Sequence, residues 1–262
     1  MPKPATIGII SPCSVTPQVE LALCVDRLSD AGFDVRVHRQ CEAQHYWFAG
    51  DDQARAEAFF EYAQDPGIDV LWSARGGSGA PRLLPILDEL TSQHGKPAKK
   101  LLAGYSDVTV LHHYVHTRWG WDTLHASMPA SDFYDISEEH FKATLELVCK
   151  KRIEMPWHGS AMKFLTPPPV AKVAGTLVGG NLAVWNYLTG TPYQPRDVAG
   201  KFLFFEDLSE GFYRIDAMVS QIEQAGGLEG IAGWCWGSSA RATMMWRRYS
   251  STGPRRDRPA RR

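Results

Sequence analysis

LLAGYSDVTVLHHY, residues 101–114, passes from an apolar run through a glycine and a serine into a segment with helical spacing. The run 100–104, KLLAG, suits a buried strand and is too short for an ordinary helix. A strand that turns within a few residues into a helix is half of a βαβ unit. Ser106 stands at the turn, and two readings of it remain open. It caps the helix by accepting one of its first N–H groups. Alternatively it is the exposed hydroxyl of a nucleophile elbow, where the N–H of the next residue faces the same oxygen. Gly104 supplies room and Asp107 the N–H, while Val108 stands where the usual elbow has a second glycine.

Working outward, the same alternation fills the first 130 residues. TIGII (6–10), FDVRVH (33–38) and IDVLW (68–72) read as strands, a helical apolar stripe occupies 19–32, and 51–64 and 81–93 read as helices. Strands and helices alternating at this spacing predict an α/β fold, with a parallel sheet and helices on both faces. Chemistry then belongs in the loops beyond the carboxyl ends of the strands. A second glycine turn, WSARGGSGAPRLLPILDEL (72–90), leaves the strand before KLLAG. Gly76, Gly77 and Gly79 permit a tight turn whose N–H groups face outward. The spacing is neither that of a phosphate-binding loop nor that of the dinucleotide fingerprint. The turn is either a plain connection or a cradle for developing negative charge. Neighbouring strands in such a sheet would bring 76–79 and 106–107 around one oxyanion.

From about residue 150 the character changes, with a triple proline at 167–169. The expected organisation is a nucleophile domain over 1–155, a smaller domain over 170–240 and a basic tail over 241–262. In the second, TLVGG, KFLFFED (201–207) and IAGWCWG (231–237) read as strands and 213–227 as a helix.

The 262 residues are 44% hydrophobic with a formal charge of −1, enough apolar material for a large core. Residues 238–262 carry eight Arg against one Asp, so the remainder stands at −8. A nucleic-acid partner is expected only if that tail binds one, and is disfavoured. No apolar run approaches membrane-spanning length. The five cysteines, 13, 24, 41, 149 and 235, are widely spaced and read as reduced thiols, which with the uncleaved look of the start points to the cytoplasm. No set of His, Cys and Asp has metal-ligand spacing, so neither metal nor cofactor is expected.

Taken together, ARGGSGAPRLLPILD, GYSDVTVLH, GTLVGGNLAVWNYLTGTP and FFEDLSEGFYRIDAMVSQIEQAGGLEGIAG resemble the LD-carboxypeptidase family of serine peptidases, in that family's order across residues 6–237. In the first stretch Ser78 takes the place of the family's aromatic residue. The resemblance implies a flavodoxin-like or Rossmann-like N-terminal domain and a smaller β-rich C-terminal one. It implies a Ser-Glu-His triad in which Ser106 is the nucleophile and Glu206 orients the histidine. It further implies a metal-free, frequently dimeric enzyme that removes terminal D-alanine from murein tetrapeptide in cell-wall recycling. Related members hydrolyse acylated aminoacyl-nucleotide antibiotics.

One departure matters. The family histidine follows the carboxylate, whereas the last histidine here is His158. With the match fading after Trp236, a truncated or frame-shifted C-terminus is the expectation, with an incomplete second domain and an impaired or inactive, peptide-binding protein. His112 and His113 are expected to be packed or solvated, and His125 is a weak surrogate base. Gly76, Gly77 and Asp107 are the expected oxyanion donors. Arg75 and Arg82 are candidates for a free substrate carboxylate, or else partners of a local acid. Trp185 reads as packing, Glu210 and Arg214 as a surface pair, and Asp207 as an acceptor supporting Glu206.

Overall fold

The computed structural model describes residues 5–149, 174–208 and 210–237. They form two compact units, 5–149 with 190–195 and 174–189 with 196–208 and 210–237. The expected boundary at 150–170, the triple proline, His158 and the basic tail lie outside the described residues.

In the first unit β1 (Thr6–Ile10), β2 (Asp34–Val37), β3 (Val70–Ser73), β4 (Leu101–Gly104) and β5 (Asp122–His125) make one sheet. Its order is β2-β1-β3-β4-β5 and every pair is parallel. Helices α1 (Gln18–Asp30), α2 (Asp52–Gln64), α3 (Leu84–His94), α4 (Thr109–Tyr114) and α5 (Glu138–Val148) connect and follow the strands. The α/β expectation therefore holds, with β5 and α5 as additions.

The two-residue period of the strands divides the core. Ile7, Ile9, Val70, Trp72, Leu101 and Ala103 pack with Leu21, Cys24 and Leu28 of α1 and with Phe141, Leu145 and Val148 of α5. Each such aliphatic side chain contributes about 1.5–3 kcal/mol on burial. On the opposite face Gly8 lets α2 approach, since a Cβ there would lie 2.8 Å from Tyr62 and 2.9 Å from Ile68. Strand β2 is an edge, and its exposed Asp34 and Arg36 discourage pairing with another chain.

The second unit contains β6 (Leu177–Asn181), α6 (Leu182–Asn186), β7 (Phe202–Glu206), α7 (Phe212–Gln224) and β8 (Gly233–Trp236). Its strands pair in parallel in the order β6-β7-β8. The α7 stripe Ile215, Val219 and Ile222 closes over Leu182, Leu203 and Phe205. Gly179, at φ +131°, is required in β6 because a side chain there would meet the Phe204 backbone. The three predicted strands and the helix are all present, within a few residues of their expected bounds.

Candidate active site

Strand β4 ends at Gly104, where a Cβ would press within 3.1 Å of Val108 and 3.3 Å of Ser73. The chain then turns through Tyr105 to Ser106 at φ +60°, a left-handed conformation rare for a residue with a side chain. A short turn, Ser106–Val108, leads into α4 with no side-chain cap. The Ser106 hydroxyl is half-exposed and has no hydrogen-bond partner among the described residues. The capping reading therefore gives way, because the Ser106 side chain accepts none of the first N–H groups of the helix.

The glycine loop meets this turn. A Cβ on Gly76 would lie 3.0 Å from Ser106 Cβ and 3.2 Å from its Oγ, so nothing larger than glycine fits beside the hydroxyl without displacing it. Gly77 and Gly79 adopt φ +112° and +104°. The N–H groups of Gly77 and Asp107 have no partner among the described residues. Asp107 ties the two loops together. Its buried carboxylate accepts the Ala80 N–H at 2.8 Å and the Cys13 thiol. Burial raises its pKa above the usual carboxylate range, against the pull of those two bonds and of the Arg55 charge. The Cys13 thiol, pushed well up by burial and then by Asp107, stays protonated and donates.

A third loop, after β1, was not read as part of the site. The Ser14 N–H donates to the Gly76 carbonyl at 3.2 Å, and the Ser14 hydroxyl accepts the Ser78 N–H at 3.2 Å. Arg55 of α2 lies behind these loops and is fully buried. It donates to Pro12 O at 2.6 Å and Gly50 O at 3.2 Å, pairs with Asp52, and stacks 4.7 Å from the Phe48 ring centroid. No local sequence signal marks the bonds of Ser14 to the glycine loop or of Arg55 to Pro12, because these partners are distant in the chain.

The two candidate cations separate. Arg82 pairs with Asp52, with Nε and Nη2 each 2.7 Å from Oδ2, the local acid that the sequence reading allowed for. Arg75 donates through Nη1 to Val15 O at 3.1 Å, while its buried Nε has no partner among the described residues.

His112 is buried in α4 and His113 half-exposed, in keeping with packed or solvated roles. His125 ends β5 in register with Gly104, its ring 6.0 Å from that of Tyr105. Burial pushes its pKa down to about 4, although the residue as a whole keeps exposed surface. His45 closes a tight hairpin with Phe48.

In the second unit Glu206 ends β7 in register with Asn181 at the end of β6. Burial raises the Glu206 pKa, a hydrogen bond from Asn181 lowers it, and the charge of Asp207 raises it. The Asn181 amide oxygen caps α6 by accepting the Val184 N–H at 3.1 Å, which leaves its NH2 for Glu206. Asn181 was not singled out from sequence. Asp207 accepts the Ala183 N–H at 3.2 Å, Trp185 packs edge-on against Phe205, and Arg214 pairs with Glu210 at 2.5 Å. Among the described residues no cluster of His, Cys, Asp and Glu is placed to hold a metal, and no helix is long and apolar enough to cross a membrane.

A left-handed serine between strand and helix, packed against a glycine loop, has the backbone arrangement of a nucleophile elbow. Fold and site define an α/β protein of the serine-elbow type.

Residues 7–126 match the family described as LD-carboxypeptidase N-terminal domain, and residues 174–254 the LD-carboxypeptidase C-terminal domain. The chain belongs to the LD-carboxypeptidase family. The second match runs to residue 254, past Trp236, where the sequence reading placed the end of the resemblance. The probable murein peptide carboxypeptidase of Bacillus subtilis (strain 168) is 31% identical over 237 residues, covering 88% of this chain and 71% of that one. The Escherichia coli microcin C7 self-immunity protein is 25% identical over 249 residues, covering 83% and 71%. The crystal structure of muramoyltetrapeptide carboxypeptidase from Oxalobacter formigenes superposes with a TM-score of 0.73 at 27% identity, covering 94% of this chain and 84% of that one.

Proposed function

We propose that this chain is a serine carboxypeptidase acting on the L-D bond of murein tetrapeptide and releasing terminal D-alanine. The carrying observation is the strained Ser106 hydroxyl packed against Gly76; the next N–H groups along the two loops, those of Gly77 and Asp107, have no partner among the described residues and are the proposed oxyanion donors. Ser106 Oγ adds to the carbonyl carbon as its proton leaves to a base, and the oxyanion accepts both N–H groups. Collapse breaks the C–N bond, the amine of D-alanine takes up the proton, and water then cleaves the acyl-serine. Arg75, whose Nε has no partner among the described residues, is the cation assigned to the terminal carboxylate of the substrate, and Arg82 stays with Asp52.

In the family pattern the base is a histidine beyond Glu206, oriented by that carboxylate, and the sequence has no histidine after His158. Turnover is therefore proposed to be reduced by orders of magnitude, with the oxyanion donors and substrate binding supplying what remains. The reading extends to a homodimer in the cytoplasm, and light scattering that gives a concentration-independent monomer removes the dimer.

The test is D-alanine release from murein tetrapeptide by the purified chain, with Ser106→Ala as control. Slow release lost in the control supports the proposal. Release at the rate of a complete triad refutes the impairment, and release unaffected by Ser106→Ala refutes the nucleophile. The runner-up, hydrolysis of acylated aminoacyl-nucleotides, draws on the similarity to the microcin self-immunity protein, which at 25% identity is weaker than the 31% to the murein peptide carboxypeptidase. Hydrolysis of an acylated aminoacyl-nucleotide with no D-alanine release would favour it. Tetrapeptide binding with a Ser106 inert to phosphonate reagents would instead mark an inactive, peptide-binding homologue.

A further inference from the structure

An N–H of Gly77 serves an oxyanion at Ser106 only if the Gly76–Gly77 peptide is turned one way. No peptide bond among the described residues is cis, so the Gly76 carbonyl and the Gly77 N–H point in opposite directions across one plane. The carbonyl is taken by the Ser14 N–H at 3.2 Å. The sheet order β1-β3-β4 puts the loop of Gly76 between the loop of Ser14 and the turn of Ser106. A carbonyl drawn toward the β1 loop therefore sends the adjoining N–H toward the β4 turn.

The Ser14 side chain fixes the next step of the loop. Its hydroxyl accepts the Ser78 N–H at 3.2 Å, and its Cβ lies 2.6 Å from where a Gly77 Cβ would be, close enough to exclude any side chain there. Ser14 is itself held. It bridges to Phe48, the next residue donates its N–H to Trp47 O at 3.0 Å, and Arg55 grips Pro12 O at 2.6 Å. The β1 loop is thus a fixed base and the glycine loop the part it orients.

We propose that Ser14 is a positioning residue that sets the Gly77 N–H as an oxyanion donor, through its own N–H on the Gly76 carbonyl and its hydroxyl on the Ser78 N–H. This rests on the reading of Ser106 as nucleophile. Ser14 acts on the tetrahedral state and leaves binding of the planar substrate alone.

The test compares two affinities: that of a peptide boronate carrying boron in place of the scissile carbonyl carbon, and that of murein tetrapeptide itself, the latter on a Ser106→Ala background. S14A is expected to weaken the boronate adduct by about tenfold, a fraction of what loss of a whole oxyanion donor costs. Tetrapeptide affinity should stay within about twofold, and S14T, which keeps the hydroxyl, should recover most of the loss. An S14A chain that holds the boronate as the unmodified chain does, or that loses both affinities equally, overturns the assignment. In the unmodified chain the Gly77 amide proton should move downfield on boronate binding while that of Gly76 stays. An unmoved Gly77 resonance overturns the proposal even where S14A proves unstable. Absence of a tetrahedral boron signal in the unmodified chain instead removes Ser106 as nucleophile, and this proposal with it.

Discussion

The N–H of Ala80 donates to the carboxylate of Asp107 at 2.8 Å, joining the turn that follows the glycine loop to the residue that follows Ser106. Asp107 thereby has two tasks: its side chain keeps the two loops in register, and its amide is the one proposed to face the developing oxyanion. Asp107→Ala leaves the Ala80 N–H and the Cys13 thiol buried without an acceptor, a cost of about 1–3 kcal/mol. Asp107→Asn keeps an acceptor oxygen and should cost less. Urea midpoints that place Asn below Ala would contradict this account.

Ser106 carries strain that only a hydroxyl justifies. A left-handed residue with a Cβ costs about 1–2 kcal/mol relative to one without. Ser106→Gly is therefore expected to melt a few degrees above Ser106→Ala, about 2–4 °C per kcal/mol in a chain of this size. D-alanine release should be lost in both. Equal melting temperatures would show that the turn is not strained.

Arg55 and Arg82 share Asp52 as partner but not an environment. Arg55 is fully buried, whereas the Arg82 side chain is 60% exposed. Arg55→Met should destabilise by about 3–5 kcal/mol, since it strips buried acceptors at Pro12 and Gly50 as well as Asp52. Arg82→Met should cost about 0–1 kcal/mol. Calorimetry on the two variants decides the matter, and similar losses would mean that the β1 loop does not depend on Arg55.

What the sequence shows plainly is whatever repeats locally. The strand period and the helical stripe exposed β1 to β4, and a serine after a glycine at a strand end exposed Ser106. Strand β5 is not among the predicted strands, because three of its four residues face solvent and carry little apolar pattern. Capping and attack both place a serine at the start of a helix, so only the backbone angle at Ser106 separates them. Ser14 and Asp107 find their partners 64 and 27 residues away, and no window of sequence holds both ends of such a bond. The same distance hid Asn181, whose register with Glu206 is a property of the sheet.

His112 gives the fold a pH dependence with a definite sign. It is buried in α4 with Nε2 lacking a partner among the described residues. Burial first, and the charge of His125 second, push its pKa down to about 3 from the usual 6.5. Above pH 6.5 the ring is neutral whether the chain is folded or not, and its contribution to stability is fully present. As pH falls from 6.5 toward 3 the unfolded chain takes up a proton that the folded chain refuses, and stability declines. His112→Phe removes that proton site and fills similar volume. Its urea midpoint should therefore fall less than that of the unmodified chain between pH 7 and pH 4, with a residual slope left by His125, whose own pKa is lowered to about 4. Parallel curves for the two proteins would assign the acid sensitivity to other groups.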